Sequence, residues 1–351
     1  MQSSTLLATR RALLAAMLGS CIGVALADTP KEQKAIVQTG TGGPEVLKLQ
    51  TVPVLEPGEG QVLIRVYAAA VNPADWESRS AAPGSTAAAR VVIPGGDVAG
   101  VVEKLGSGVT TLKEGTPVFA VVARAAEPLN GGYSQFATAG ISNVVPKPPN
   151  MTYAEAAGLG IATITGVRNV IETKVSAGQR VLITGIAGGV GSAAAQAAKA
   201  RGAYVIGTAS ARHNAYLKSI GVDEVIDYTQ VKFEDKVKNV DVVIDTVGSD
   251  TAERALTTLK KGGFYISVAA RGLDAKCAAA GVTCVGRMSA SVVPRSVYEE
   301  VGSLAASGKL KVNVEKAFPL DQAALAQAVG EQGHTEGKIV LIVDGAKADR
   351  K

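Results

Sequence analysis

Apolar residues are laid out along this chain in two textures. From Lys34 to about Pro146, short alternating or β-branched runs such as Val62-Leu63-Ile64-Arg65-Val66, Val98–Val102 and Pro117–Val122 are cut by turn signals such as Pro57-Gly58-Glu59-Gly60. Runs of this kind predict strands, and their density predicts a β-rich, barrel-like unit. From about Ala156, strand-length runs alternate with helical stretches. Strands are predicted over 180–184, 204–208, 224–227, 240–245, 263–268 and 282–286, and helices over about 192–201, 211–220 and 250–260. Strand–helix alternation with short connections implies a parallel, doubly wound sheet. After Arg287 a helix over about 294–307 and strands over about 312–318 and 338–343 return to the first texture. The expected organisation is a leader over 1–27, a β-rich part over 28–155, a nucleotide-binding part over 156–290, a return to the β-rich part over 291–345 and a tail over 346–351.

The most specific local signal is the order strand, glycine turn, helix, strand over residues 180–212. Gly185, Gly188 and Gly191 are spaced Gly-x-x-Gly-x-x-Gly with Gly189 inserted, which departs from the commonest G-x-G-x-x-G fingerprint. Such a turn lets backbone N–H groups at Gly188, Gly189 and Val190 approach a pyrophosphate, which the positive end of the following helix then attracts. The end of the second strand bears on which dinucleotide is bound. Ala209, Ser210, Ala211 and Arg212 follow Thr208, and no acid comes before Asp223. NAD sites usually place an acid there for the ribose 2′-OH. Ser210 and the planar fork of Arg212 instead suit a 2′-phosphate, so NADPH is expected, although Arg212 at a helix start would also be an ordinary solvated residue.

The 351 residues are 47% hydrophobic, enough for two cores, and the formal charge of +5 is too slight to argue for nucleic acid. Two histidines and three cysteines rule out a four-cysteine zinc lobe and argue against a catalytic zinc site. Cys277 and Cys284 are read as two small buried thiols, or as a pair in an oxidising compartment. At the N-terminus Arg10-Arg11 precede an apolar run from Ala12 to Leu26, and Ala25-Leu26-Ala27 precedes Asp28. That is the layout of a cleaved targeting segment. Thr9–Leu14 resembles a twin-arginine signal, so export to the periplasm is expected. General secretion, a lipid anchor at Cys21 and retention in the cytoplasm are the alternatives.

Several longer motifs run through the chain in order: Ala70-Val71-Asn72-Pro73-Ala74-Asp75-Trp76, Pro94-Gly95-Gly96-Asp97-Val98-Ala99-Gly100, Gly131-Gly132-Tyr133, Gly188-Gly189-Val190-Gly191, Val225-Ile226-Asp227-Tyr228, Asp245-Thr246-Val247-Gly248 and Gly337-Lys338-Ile339-Val340-Leu341. Over residues 34–345 the chain resembles the medium-chain dehydrogenase/reductase superfamily, and within it the zinc-free branch of quinone oxidoreductases and zeta-crystallin-like enone reductases. The resemblance implies an α/β chain in which a GroES-like β-rich catalytic domain is split around a Rossmann doubly wound parallel sheet. It also implies a homodimer and an active site in the cleft.

The resemblance places Asn72 in the nicotinamide cleft as a hydrogen-bond donor and Asp75 there as an orienter or ionic gate. A turn former before Pro73 and a helix cap are their plainer roles. Trp76 and Tyr133 either line the cleft or pack. Tyr228 matches a tyrosine that stacks beside the adenosine 2′-phosphate, though a core tyrosine would look the same. Thr165 matches a threonine beside the nicotinamide ribose, with Gly166 and Val167 expected to loosen that wall. Thr246, Val247 and Gly248 are expected under the adenine, and Ala269 and Ala270 at the nicotinamide end. The implied reaction is hydride transfer from NADPH to a quinone or an α,β-unsaturated carbonyl without a metal, with no nucleic-acid partner. A non-catalytic NADPH-binding protein and an alcohol or aldehyde dehydrogenase are the alternatives.

Overall fold

The structure is a computed structural model that describes residues 29–80, 92–122, 129–285 and 293–351. Residues Lys31–Lys351 form one compact unit. The leader motifs at Arg10-Arg11, Cys21 and Ala25–Ala27 lie outside the described residues.

The first texture builds strands β1 (Glu32–Gln38), β2 (Leu47–Pro53), β3 (Gln61–Val71), β4 (Asp97–Leu105), β5 (Pro117–Val121), β6 (Phe136–Gly140) and β7 (Val144–Pro146), with helix α1 (Pro73–Arg79) after β3 and α2 (Tyr153–Ala157) after β7. The second builds α3 (Ile161–Glu172), β8 (Arg180–Thr184), α4 (Gly189–Ala200), β9 (Tyr204–Ala209), α5 (Asn214–Ser219), β10 (Glu224–Asp227), α6 (Phe233–Lys236), β11 (Val240–Asp245), α7 (Ser249–Leu256), β12 (Leu259–Ser267), α8 (Asp274–Ala280) and β13 (Thr283–Val285). The chain closes with α9 (Arg295–Ala306), β14 (Val314–Pro319), α10 (Ala323–Glu331), β15 (Lys338–Ile342) and α11 (Gly345–Ala348).

One sheet has the order β14-β15-β3-β4-β5-β7 with β6 also on β3, so strands from both ends of the chain share it. β3 lies between β15 and β4, and small Ala68, Ala69 and Ala70 let it be buried on both faces. The other sheet is wholly parallel, in the order β10-β9-β8-β11-β12-β13. Together they form an α/β fold with a GroES-like β-rich part and a Rossmann-type sheet.

Two expected helices are shorter than their apolar patterns. The stretch over 211–220 opens with a 3₁₀ turn, Ala211–His213, before α5 begins. The stretch over 250–260 gives way at Leu256 because Leu259 already pairs with Val240. Cys277 and Cys284 are bonded as a disulfide joining α8 to β13, which corrects the reading of two free thiols.

Gly166 also differs from expectation. A β-carbon there would lie 2.5 Å from the Val190 carbonyl oxygen and 2.8 Å from the Ala194 nitrogen. The glycine therefore lets α3 touch the backbone of α4 and does not loosen a wall. Gly166→Ala is expected to destabilise the protein by roughly 1–3 kcal/mol through overpacking, outweighing the gain of about 1 kcal/mol in helix propensity. A urea midpoint equal to or above that of the parent protein would overturn this reading.

Candidate active site

In a parallel sheet every strand ends at the same edge. Here the chain runs outward from β8 through β9 to β10, then crosses back to β11 on the other side of β8. The crevice of such a fold opens where the order reverses, at the ends of β8 and β11. The glycine turn sits there. Gly185 has φ +62°, and a β-carbon on it would meet Thr246 Oγ1 at 2.6 Å. A β-carbon on Gly191 would lie 2.6 Å from the Gly185 carbonyl oxygen. Gly188 caps α4, and the first-turn N–H groups of Gly189, Val190 and Gly191 have no acceptor within the helix. Gly189 and Val190 are partly exposed, so their N–H groups form a cradle that fits a dinucleotide pyrophosphate, while the Gly188 N–H donates to the Gly185 carbonyl at 3.2 Å and shapes the turn.

The loops beside the cradle hang on one carboxylate. Asp245, fully buried, accepts from Thr184 Oγ1 at 2.6 Å, Ser267 Oγ at 2.8 Å, Tyr265 OH at 2.9 Å, and the N–H groups of Val247 and Gly248 at 3.0 and 3.1 Å. Ser267 Oγ in turn accepts from the N–H groups of Ala269 and Ala270. Burial beside Asp245 pushes the Tyr265 hydroxyl pKa up. Asp245 was legible only as part of a motif. Its one visible signal is an acid ending the otherwise apolar run of β11.

At the end of β9, Ser210 precedes the 3₁₀ turn and Arg212 is exposed. The Arg212 guanidinium donates from Nε to His213 Nε2 at 3.0 Å and from Nη2 to the His334 carbonyl. Tyr228 follows β10 and is 46% exposed, so it is not a core tyrosine. Asp227 reaches the Ala211 N–H at 3.3 Å, but its carboxylate also accepts from Thr229 N and Oγ1 at 2.9 and 2.7 Å, which holds its pKa below the usual range.

On the β-rich side the structure gathers a buried polar cluster. Asn72 caps α1, and Asp75 closes its capping box by accepting from the Asn72 N–H at 2.9 Å and from Tyr133 OH at 2.9 Å. Asn72 Nδ2 donates to Asp97 Oδ2 at 2.8 Å, while Lys338 Nζ donates to Asn72 Oδ1 at 2.6 Å and to the Val71 carbonyl at 2.8 Å. Asp97 Oδ1 accepts from the Ile161 N–H at 2.8 Å and so caps α3, the helix that carries the half-buried Thr165. Burial raises the Asp97 pKa to about 6 against the pull of Lys338, and burial likewise lowers that of Lys338. Asn72 is 2% exposed and Asp75 is 0% exposed. The ionic-gate role of Asp75 is corrected accordingly: its carboxylate faces its own helix cap and Tyr133. Trp76 lies over Gly330 of α10, where a β-carbon would come within 2.7 Å of the indole, and therefore packs. Asp97 and Lys338 stand in motifs of the sequence without a visible role, because two buried charges bridged by the Asn72 amide leave no mark in spacing.

Residues 58–149 match the alcohol dehydrogenase GroES-like domain and residues 220–341 the zinc-binding dehydrogenase family. The chain is 36% identical to the chloroplastic NADPH-dependent alkenal/one oxidoreductase of Arabidopsis thaliana, over 90% of this chain and 81% of that one. It is 32% identical to the quinone oxidoreductase of Mus musculus, over 91% and 100% of the two. Its fold is similar to the quinone oxidoreductase structure from Coxiella burnetii, with a TM-score of 0.81, 31% identity and coverage of 89% of this chain and 100% of that one. The chain belongs to the medium-chain dehydrogenase/reductase superfamily, in its zinc-free quinone oxidoreductase branch. These relatives correct the expectation of export. The plant relative is chloroplastic by name. Among the described residues no helix is long and apolar enough to cross a membrane.

The Asp97 shift has a stability consequence. An acid whose folded pKa is raised from 3.8 to about 6 adds stability that is full below pH 4 and lost as pH rises through 6. Asp97→Asn is expected to remove that falling limb, at most about 3 kcal/mol between these limits. Denaturant midpoints of the variant and the parent at pH 4, 5 and 6 read the difference. Parallel pH curves for the two proteins would show that Asp97 does not titrate in this window.

Proposed function

We propose that the protein is an NADPH-dependent, zinc-independent oxidoreductase that reduces quinones or α,β-unsaturated carbonyls. The observation that carries this reading is the glycine cradle at the sheet's switch point, with Ser210 and Arg212, and no acid, at the end of β9. The names of the alkenal/one and quinone oxidoreductase relatives support the substrate class. Gly188, Gly189 and Val190 are assigned to the pyrophosphate, Ser210 and Arg212 to the 2′-phosphate, and Tyr228 to the adenosine. Val247 and Gly248 are assigned to the adenine, Ala269 and Ala270 to the nicotinamide end, and Thr165 to the ribose there. When bound, NADPH supplies the hydride. Asn72 and Asp75 enter as positioning residues: Lys338 and Asp97 hold both ends of the Asn72 amide, and Asp75 fixes the backbone beneath it. Assembly as a homodimer rests on the resemblance alone, and light scattering reads it.

Consumption of NADPH with a 1,4-quinone or an enone tests the activity directly. Binding of NADPH with no consumption across such a panel would favour a binding protein instead. Arg212→Ala is expected to weaken NADPH binding by roughly 1.5–3 kcal/mol, the range for a hydrogen bond to a charged group, and to leave NADH binding unchanged. Equal losses for both cofactors would remove Arg212 from the 2′-phosphate site. Among the described residues no group of three or more His, Cys, Asp or Glu is placed to hold a metal, so activity is expected to survive prolonged chelation. Loss on chelation with recovery on zinc addition would overturn the metal-free reading.

A further inference from the structure

Arg212 does not lie loose on the surface. Beside it the His213 ring is only 6% exposed. The Arg212 Nε–H donates to His213 Nε2 at 3.0 Å, and a guanidinium has no acceptor, so Nε2 must be the unprotonated ring nitrogen. The ring proton therefore stands on Nδ1 and is donated to Glu336 Oε2 at 2.8 Å. Glu336 is itself fixed. Asn313 Nδ2 donates to the Glu336 carbonyl at 2.8 Å and to its Oε1 at 3.2 Å, and the Glu336 N–H donates to Glu315 Oε2 at 2.9 Å. The His334 carbonyl accepts from Arg212 Nη2. Two of the five guanidinium N–H groups are thus spent on orientation, and in the contacts of the described residues three remain for a ligand.

An unrestrained arginine loses rotamer freedom when it binds a phosphate, so one already held in place binds at a smaller entropic cost. We propose that His213, locked as its Nδ1–H tautomer by Glu336, is the positioning residue that presents Arg212 to the 2′-phosphate, and is thereby a determinant of NADPH over NADH. This rests on the 2′-phosphate reading of Arg212 above. The relay joins the turn after β9 to the segment entering β15, so a residue from the C-terminal return tunes a choice made at the nucleotide edge.

The test uses the full chain and reads binding of each cofactor by titration calorimetry. His213→Phe should weaken NADPH binding about three- to tenfold, the cost of immobilising one rotamer-rich side chain on binding, and leave NADH unchanged. His213→Gln should restore most of the loss, since its amide can donate to Glu336 and accept from Arg212. Arg212→Ala combined with His213→Phe should bind NADPH no more weakly than Arg212→Ala alone. In the cofactor-free protein, ¹⁵N imidazole spectra should show His213 as the Nδ1–H tautomer, and Glu336→Gln should redistribute it. Additive losses, equal losses for NADH, or an Nε2–H tautomer would overturn the assignment and leave His213 as packing. If Arg212→Ala alone weakens both cofactors equally, the 2′-phosphate reading is what fails, and the inference falls with it.

Discussion

The structure turns on a buried chain of charge and amide: Lys338 to Asn72 to Asp97 to the N–H of Ile161. Its members come from β15, the cap of α1, the start of β4 and the first turn of α3. Nearly complete burial of an ammonium and a carboxylate costs heavily in solvation, and is tolerated where hydrogen-bond partners replace the lost water. Here the partners are backbone groups and amides at the seam between the two sheets. Each ion therefore holds a piece of chain that apolar packing alone would not place. Asp97 supplies the negative group that a helix N-terminus favours, and Gly160 leaves it room, since a β-carbon there would sit 2.3 Å from its carboxylate.

Asp245 plays the matching part inside the parallel sheet. A single carboxylate at the end of β11 takes donors from β8, from β12 and from the loop that follows it, so three neighbouring strand ends are tied to one point. The glycine turn leans on the same structure, because Gly185 approaches Thr246 and the Thr246 hydroxyl donates to the Thr184 carbonyl at 2.7 Å. The glycine turn is thus backed by a fixed network of side-chain hydrogen bonds. Its shape does not depend on the mobility usual for loops.

How much of this was legible in the sequence follows from which forces act locally. The six strands of the parallel sheet were visible because each carries a short run of β-branched or aromatic residues, and the glycine turn was visible because its residues are adjacent. The helix over 211–220 was mistaken in its first turn, where Ser210 starts a 3₁₀ turn that presents Arg212, and periodicity does not separate the two geometries over three residues. Gly166 was misread because its reason, the Val190 carbonyl, belongs to another helix. Asn72 and Asp75 are legible as residues of one helix cap, but the partner that holds the buried Asn72 amide, Lys338, lies 266 positions away. The disulfide between Cys277 and Cys284 depends on how α8 folds back onto β13 through the left-handed Gly281, which a count of cysteines does not reveal.

The bridge between Gly188 and Gly337 makes time part of this architecture. The Gly337 N–H donates to the Ala187 carbonyl at 2.9 Å, and a β-carbon on Gly189 would fall 3.0 Å from the Lys338 side chain, so the start of β15 lies directly against the glycine turn. During synthesis the parallel sheet has every strand it needs by residue 285, while its glycine turn still lacks the floor that β15 provides. A ribosome-bound chain at that stage owns the motif without the finished cradle. On the cofactor reading proposed above, the site would therefore be finished only once the C-terminal return has docked.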